Sequence, residues 1–193
     1  MRKFMVLGMI IWPAMLIAGD LIINEVSVNQ GTWVELKNTG SSPVNLGGWQ
    51  IMNSKGSDVL PDVTIQPGAY LVIAGSQAMK ADVYMADGSI GSGLVVSGDM
   101  LALVNPDGEV SDLMNWGEPD PSWKNYMPSL WSRGPNMSST GILARVPDAT
   151  DRGTPRDFRP MTQATPGKEN VYPEGLDVPS WGKIKALFSP GQR

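Results

Sequence analysis

Two carboxylates, Glu25 and Glu35, are the residues of this 193-residue chain best placed for acid–base chemistry. They lie on consecutive apolar runs, Leu21–Val28 and Trp33–Asn38, that read as two strands able to pair. Facing a cleft at roughly 5–9.5 Å, such a pair is the acid and base of a glycosidase. The plainer alternative is a pair of polar strand-face residues, or a cross-strand partner for Lys37. With no substrate groove evident, that alternative is preferred. The rest of the catalytic repertoire is thin. The chain has no His and no Cys, which removes the usual general base, the Ser-His and Cys-His nucleophile pairs and the commonest zinc ligands. The expectation is a protein that is not an enzyme.

Two Asp-rich turns raise the question of calcium: "NPDGEV" (105–110) and "PDATDRGTPRD" (147–157). A calcium loop supplies six to eight oxygens at a defined Asp/Asn spacing, and neither stretch has it. Turn chemistry accounts for Asp107 and Gly108, and Arg152 and Arg156 interrupt the second stretch. No metal and no cofactor are expected.

The remaining constellation is aromatic. Trp116, Trp123, Tyr126 and Trp131 are interrupted by Pro119, Pro121 and Pro128. All three prolines, and every ring but Trp116, fall in a long loop, 117–140. Flat rings on a stiffened loop suit a protein, peptide or carbohydrate partner, and a long loop at a sandwich end is a common binding site. The competing reading, which is preferred, has the rings fold back over the open end of the core. If the protein binds through a defined site, these four residues are the candidates.

The elements that must position these groups are strands. Runs rich in Val, Ile and Leu alternate with Gly, Pro, Asn and Asp between Asp20 and Asn170, the punctuation of an all-β domain. Beyond the first two runs, Trp49–Asn53, Val63–Ile65 and Tyr70–Ala74 follow, with a Pro67-Gly68 turn between the last two. A second group starts at Leu94. Met100–Val104 and Val110–Trp116 flank Asn105-Pro106-Asp107-Gly108 as the clearest hairpin, and "GILARV" (141–146) is the last strand. About eight strands at this spacing indicate a β-sandwich. Its core is expected from Val34, Leu36, Trp49, Ile51, Leu71, Ile73, Leu101, Leu103, Leu113, Leu143 and Val146.

Residues outside that span have a different character. Met-Arg-Lys followed by an uncharged run from Phe4 to Gly19 has the form of a secretory signal peptide, residues 1–19. The run is short for a bilayer span, so no membrane span is expected once it is removed. Export to the cell surface, the periplasm or the medium is the expected localisation. Taking Arg2 and Lys3 from the fifteen basic residues leaves the nineteen acidic ones in excess by six. That balance lacks the clustered cations nucleic-acid binding needs. The tail, 171–193, is rich in Pro and Gly. Within it Ser180 can cap one short helix, Trp181–Phe188.

Several blocks together resemble a known family. "TWVELKNTGSSPVNLGGWQI" (32–51) carries Trp33, Val34, Leu36 and Asn38, a polar turn, then Gly48, Trp49 and Ile51. "VTIQPGAYLVIAGS" (63–76), "GDMLALVNPDGEVSDLMNW" (98–116), "GILARV" and the closing "ATPGKEN" (164–170) follow in order. These resemble the lamin tail domain, an immunoglobulin-like β-sandwich found in nuclear lamins and in secreted bacterial proteins. No coiled-coil rod or Cys-a-a-X ending accompanies the blocks here. The resemblance therefore implies the fold and a bacterial, exported setting, with residues 20–170 as the domain. Its family blocks read as scaffold: Trp49 as a packing ring, Asn38 as the residue that starts the turn before Gly40. The function expected is a non-catalytic binding or surface-interaction module. The alternative is an accessory domain for an extracellular nuclease or phosphoesterase supplied by a separate chain.

Overall fold

The computed structural model describes residues 20–29, 31–77, 79–118, 131, 133–137 and 139–172. The signal-like segment, Trp123, Tyr126 and the tail helix lie outside them. The described residues form strands β1 (Leu21–Ser27), β2 (Trp33–Asn38), β3 (Val44–Asn45), β4 (Gln50–Met52), β5 (Ser57–Val59), β6 (Thr64–Ile65), β7 (Tyr70–Ala74) and β8 (Val83–Tyr84). They continue with β9 (Gly98–Val104), β10 (Val110–Gly117), β11 (Ile142–Arg145), a 3-10 turn (Pro155–Asp157) and β12 (Phe158–Met161).

Six strands pair in the order β12-β11-β1-β2-β7-β8, and four in the order β10-β9-β4-β5; β3 and β6 form a small ribbon. All pairings are antiparallel except β7 with β8. Alternation along each strand explains the layering. Leu21, Ile23, Val34, Leu36, Leu71, Ile73 and Leu143 of the larger sheet join Ile51, Leu101, Leu103, Met114 and Trp116 of the smaller one in a single core. The fold is an all-β, immunoglobulin-like sandwich.

The strand set expected from the sequence is present, with β3, β5, β8 and β12 in addition. These run two to four residues each, too short to carry a period-2 pattern. Nor does a strand begin at Leu94; β9 starts at Gly98.

Two expected core positions are corrected. Leu113 packs with Met100, Ala102 and Val104, and Val146 with Ile142, Ala144 and Met161, both away from the main core. The reason in β10 is a bulge between Val110 and Asp112, after which Asp112, Met114 and Trp116 share the inward face. An aspartate pointing inward is what the hydrophobic pattern alone does not foresee. Trp49, half-buried, does pack against the main core, after Gly48 at φ +84.

Asn38 acts as expected. Its Oδ1 accepts from Gly40 N–H (2.9 Å), while Nδ2 donates to the carbonyls of Ser42 and Ile65. Asp99 of the Gly-Asp block is buried and accepts from Ser54 Oγ (2.7 Å) and the N–H groups of Val95 and Met100. Such side chains satisfy backbone groups at strand ends that a two-sheet fold cannot pair.

Candidate functional site

Glu25 and Glu35 are brought together. They are directly opposed in the β1–β2 register, on the face of the larger sheet that points away from the main core. Both are fully buried, because the segment Ala164–Asn170 crosses over them as a strap. Thr165 donates its N–H (3.1 Å) and its Oγ1 (2.9 Å) to Glu25 Oε2. Gly167 N–H donates to Glu35 Oε2 at 2.5 Å. Gly167 sits at φ +74 in the Pro166-Gly167 turn, a conformation open to glycine at no steric cost. That turn aims its N–H down at the sheet.

The strap is closed by asparagines at both levels. Asn24, the extra residue at the β1 bulge between Ile23 and Glu25, donates through Nδ2 to Glu35 Oε1 (2.8 Å) and Asp148 Oδ1 (3.0 Å). Asn170 donates its N–H to the same Asp148 oxygen (3.0 Å) and its Nδ2 to the Asn24 carbonyl (3.2 Å). Thr165 Oγ1 also lies 2.6 Å from Asn170 Oδ1. "ATPGKEN" is therefore the segment that lids two carboxylates.

One row further along the strands, Lys37 forms an ion pair with Asp148 and donates to Tyr70 Oη (2.8 Å). Tyr70 Oη donates in turn to Asp148 Oδ2 (2.8 Å), and the Lys37 ammonium lies 4.3 Å from the Tyr70 ring centroid. The cross-strand partner of Lys37 is thus Tyr70, and its carboxylate comes from the loop after β11 rather than from Glu25 or Glu35.

The electrostatics follow from this packing. Burial pushes Glu25 from the ordinary 4.5 up to about 7, against the hydrogen bonds of Thr165 that favour its charge. Burial likewise pushes Glu35 to about 7, with Glu25 and Asp148 adding repulsion. The Lys37 hydrogen bond, opposing burial, holds Asp148 below the usual carboxylate range, and Lys37 is raised by the same partners.

A second buried polar cluster joins the two sheets. Arg145, pointing inward from β11, donates Nη2 to both oxygens of Asp112 in β10 (3.0 and 2.8 Å) and Nε to the Ile23 carbonyl (2.7 Å). Ile23 N–H donates to Asp112 Oδ2 (2.7 Å), and Arg145 Nη1 reaches Thr150 O and Asp151. The guanidinium also covers the Phe158 ring at 4.5 Å. Burial pushes Asp112 up, while Arg145 and the Ile23 N–H pull it back. The Asp-rich stretch 147–157 is therefore spent on protein cations: Asp148 on Lys37, Asp151 on Arg145, and Asp157 on Arg152 Nε (2.7 Å).

Of the aromatic candidates, Trp116 is a core residue. It is fully buried and its indole N–H donates to the Val95 carbonyl (2.8 Å), which leaves it no surface for a ligand. Trp131 is partly buried against the main core. Its N–H and carbonyl pair with the Asn115 side chain (2.9 and 3.1 Å), its ring meets Phe158 at 6.1 Å, and its indole N–H donates to Gly153 O (3.2 Å). Beyond it Gly134 N–H returns to Gly117 O (2.9 Å). A Cβ at Gly134 would lie 2.0 Å from the Asn115 carbonyl, so only glycine fits where the loop docks on β10. The loop thus re-enters the sandwich through Trp131.

Sequence reasoning passes over Asn24, Asp112 and Arg145, and meets Asp148 only within the Asp-rich stretch weighed for calcium. The one available signal was Arg145 as an isolated charge inside the apolar run "GILARV". Among the described residues no group of three or more acidic side chains is arranged to hold a metal ion, and no helix is long and apolar enough to cross a membrane.

No curated protein matches the chain at a significant level. The family model described as Lamin Tail Domain matches residues 17–118, just over half of the sequence. That match covers β1 to β10, which include the whole smaller sheet, four of the six strands of the larger one, and Glu25, Glu35 and Asp112, and by it the chain belongs to the lamin tail domain family.

Proposed function

We propose that this chain is an exported, non-catalytic module that binds a partner or a surface. The observation that supports the reading is the fate of Glu25 and Glu35. A glycosidase pair must face a cleft with room for substrate and water. Here each carboxylate is buried and accepts hydrogen bonds from a strap of the same chain. The groups best suited to catalysis are spent on holding the sandwich closed.

The surface we assign to binding is the loop between β10 and β11. Its described end is fixed by Trp131 on Phe158 and Asn115; Trp123 and Tyr126 belong to the same loop in sequence and lie outside the described residues. Pro119, Pro121 and Pro128 restrict the backbone of that loop, which lowers the ordering cost of capturing a protein, peptide or carbohydrate.

The test uses the exported chain, with its mass measured to establish removal of residues 1–19. Retention of that segment would favour a membrane anchor. Arrays of polysaccharides and of cell-surface peptides would then be probed with the wild type and with Trp123→Ala. The proposal expects capture that falls at least about 30-fold in the variant, the scale of an anchor residue, at unchanged melting temperature. Capture indifferent to Trp123 would overturn the loop assignment. Turnover of a glycoside or phosphodiester that disappears in Glu25→Gln or Glu35→Gln would overturn the non-catalytic reading.

A further inference from the structure

We propose that Glu25 and Glu35 form a proton-controlled latch for the strap Ala164–Asn170, which closes more tightly as the surroundings acidify and opens as they turn alkaline. The geometry comes first. The two side chains are opposed across β1 and β2, buried, and bonded to different residues of one seven-residue segment. Among the described residues no cation is bonded to either. Lys37, a partly buried cation on this face, is committed to Asp148 and Tyr70.

The other charged groups around the pair leave the imbalance in place. Asp148, from the loop after β11, adds a third carboxylate linked to Glu35 through Asn24. Arg159 of β12 lies in the same lateral row, beyond Ala144, but is exposed to water. On the far side of Glu35, Asp82 is bonded to Val72 N–H (2.8 Å). The strap's own Lys168 and Glu169 are opposite in sign and exposed. Two buried carboxylates without a counter-cation disfavour ionising together. The raised values of both groups agree with that geometry.

The sign follows from proton linkage. With the strap closed the pair binds protons more tightly than with the strap lifted, where water restores ordinary carboxylate behaviour. Acidification from alkaline conditions toward about pH 5 therefore favours closure, and a rise through about 7 favours opening. The chain contains no histidine, so the side chain that ordinarily titrates in this range is absent. The strap leads directly to the exposed Val171 and Tyr172 and the tail behind them. Local pH thereby sets how firmly residues 164–170 are tied to the sandwich.

The experiment is hydrogen exchange at the Thr165 and Gly167 amides of the full chain, as protection factors corrected for intrinsic base catalysis. The latch predicts that protection falls about tenfold or more between about pH 5.5 and pH 8. It also predicts a flat profile in Glu25→Gln/Glu35→Gln. Constant protection in the wild type would overturn it, and so would an equal fall in the double variant. Should that variant not fold, carbon-13 titration of the two carboxyls in the wild type decides. Midpoints near 7 support the latch, and midpoints near 4.5 overturn it.

Discussion

The sandwich buries charge in two places and treats it in opposite ways. Between the sheets, Asp112 faces the fork of Arg145, with Ile23 N–H and the Ile23 carbonyl completing the set. On the outer face of the larger sheet, Glu25 and Glu35 face each other under the strap, and their donors among the described residues are all neutral. The first cluster has a cation at its centre: the Arg145 guanidinium holds Asp112 and reaches Asp151 and the Thr150 carbonyl, with few hydrogen-bonding positions left open. The second is unbalanced and relies on protons to make up the difference. A buried pair with good geometry fixes how two sheets sit. A buried pair of like charge makes stability depend on pH instead. Both lie beside β-bulges, at Asn24 in β1 and Ser111 in β10, where the extra residue shifts which face the neighbouring polar side chains take.

The largest effect should come from breaking the cation-centred cluster. Arg145→Met leaves Asp112 buried without its cation and the Ile23 carbonyl without a donor. Denaturant unfolding should show a loss of about 3–5 kcal/mol. Adding Asp112→Leu should recover a large part of that loss, because no buried charge then remains unpaired. A single variant as stable as wild type would end the comparison.

The aromatic ring positions should rank next, in an order set by burial. Trp116→Ala empties a fully buried site and should cost about 3–5 kcal/mol; Trp131→Ala, half-buried, should cost about 2 kcal/mol. Calorimetric melts of both would check the order. A Trp131→Ala protein that melts like wild type would return that residue to the binding surface.

Smaller effects belong to the edge of the outer cluster. Tyr70→Phe removes one hydroxyl shared by Lys37 and Asp148 and should cost about 1 kcal/mol. Truncation after Asn170 should cost less still, because Val171 and Tyr172 are exposed while Asn170 is bonded to the sandwich. Truncation before Ala164 should cost several times more. Equal losses from the two truncations would show that the strap is no latch.

The sequence carried the frame of this fold clearly and its polar interior poorly. β1, β2, β7, β9, β10 and β11 are runs of apolar residues broken by turn residues, and Asn38 and Asn105 announce their turns through local side-chain bonds. Those signals act within a few residues of each other. The two clusters are made from residues far apart in the chain, such as Glu25 with Thr165 and Ile23 with Asp112. Asp112 looks outward by polarity and points inward because a bulge shifts the alternation by one. Leu113 and Val146 were misplaced for the mirror-image reason, apolar residues on outer faces that are themselves covered. Likewise "ATPGKEN" was recognisable as a block, while its task is visible only once Thr165 and Gly167 lie above two glutamates.

Glu25 and Glu35 serve the strap on this reading of the outer face, and unfolding free energy measured against pH tests their role most directly. Both groups are raised from 4.5 to about 7 in the folded chain, so the folded state holds the extra protons between those values. Stability should therefore fall as pH rises through this window and level off above it. The expected fall is about 2 kcal/mol or more between about pH 5 and pH 8 for the wild type. It should be largely absent in Glu25→Gln/Glu35→Gln, which should match or exceed wild-type stability at the alkaline end. A wild type whose stability is flat or rises across that range, or a double variant that keeps the same slope, would contradict the account.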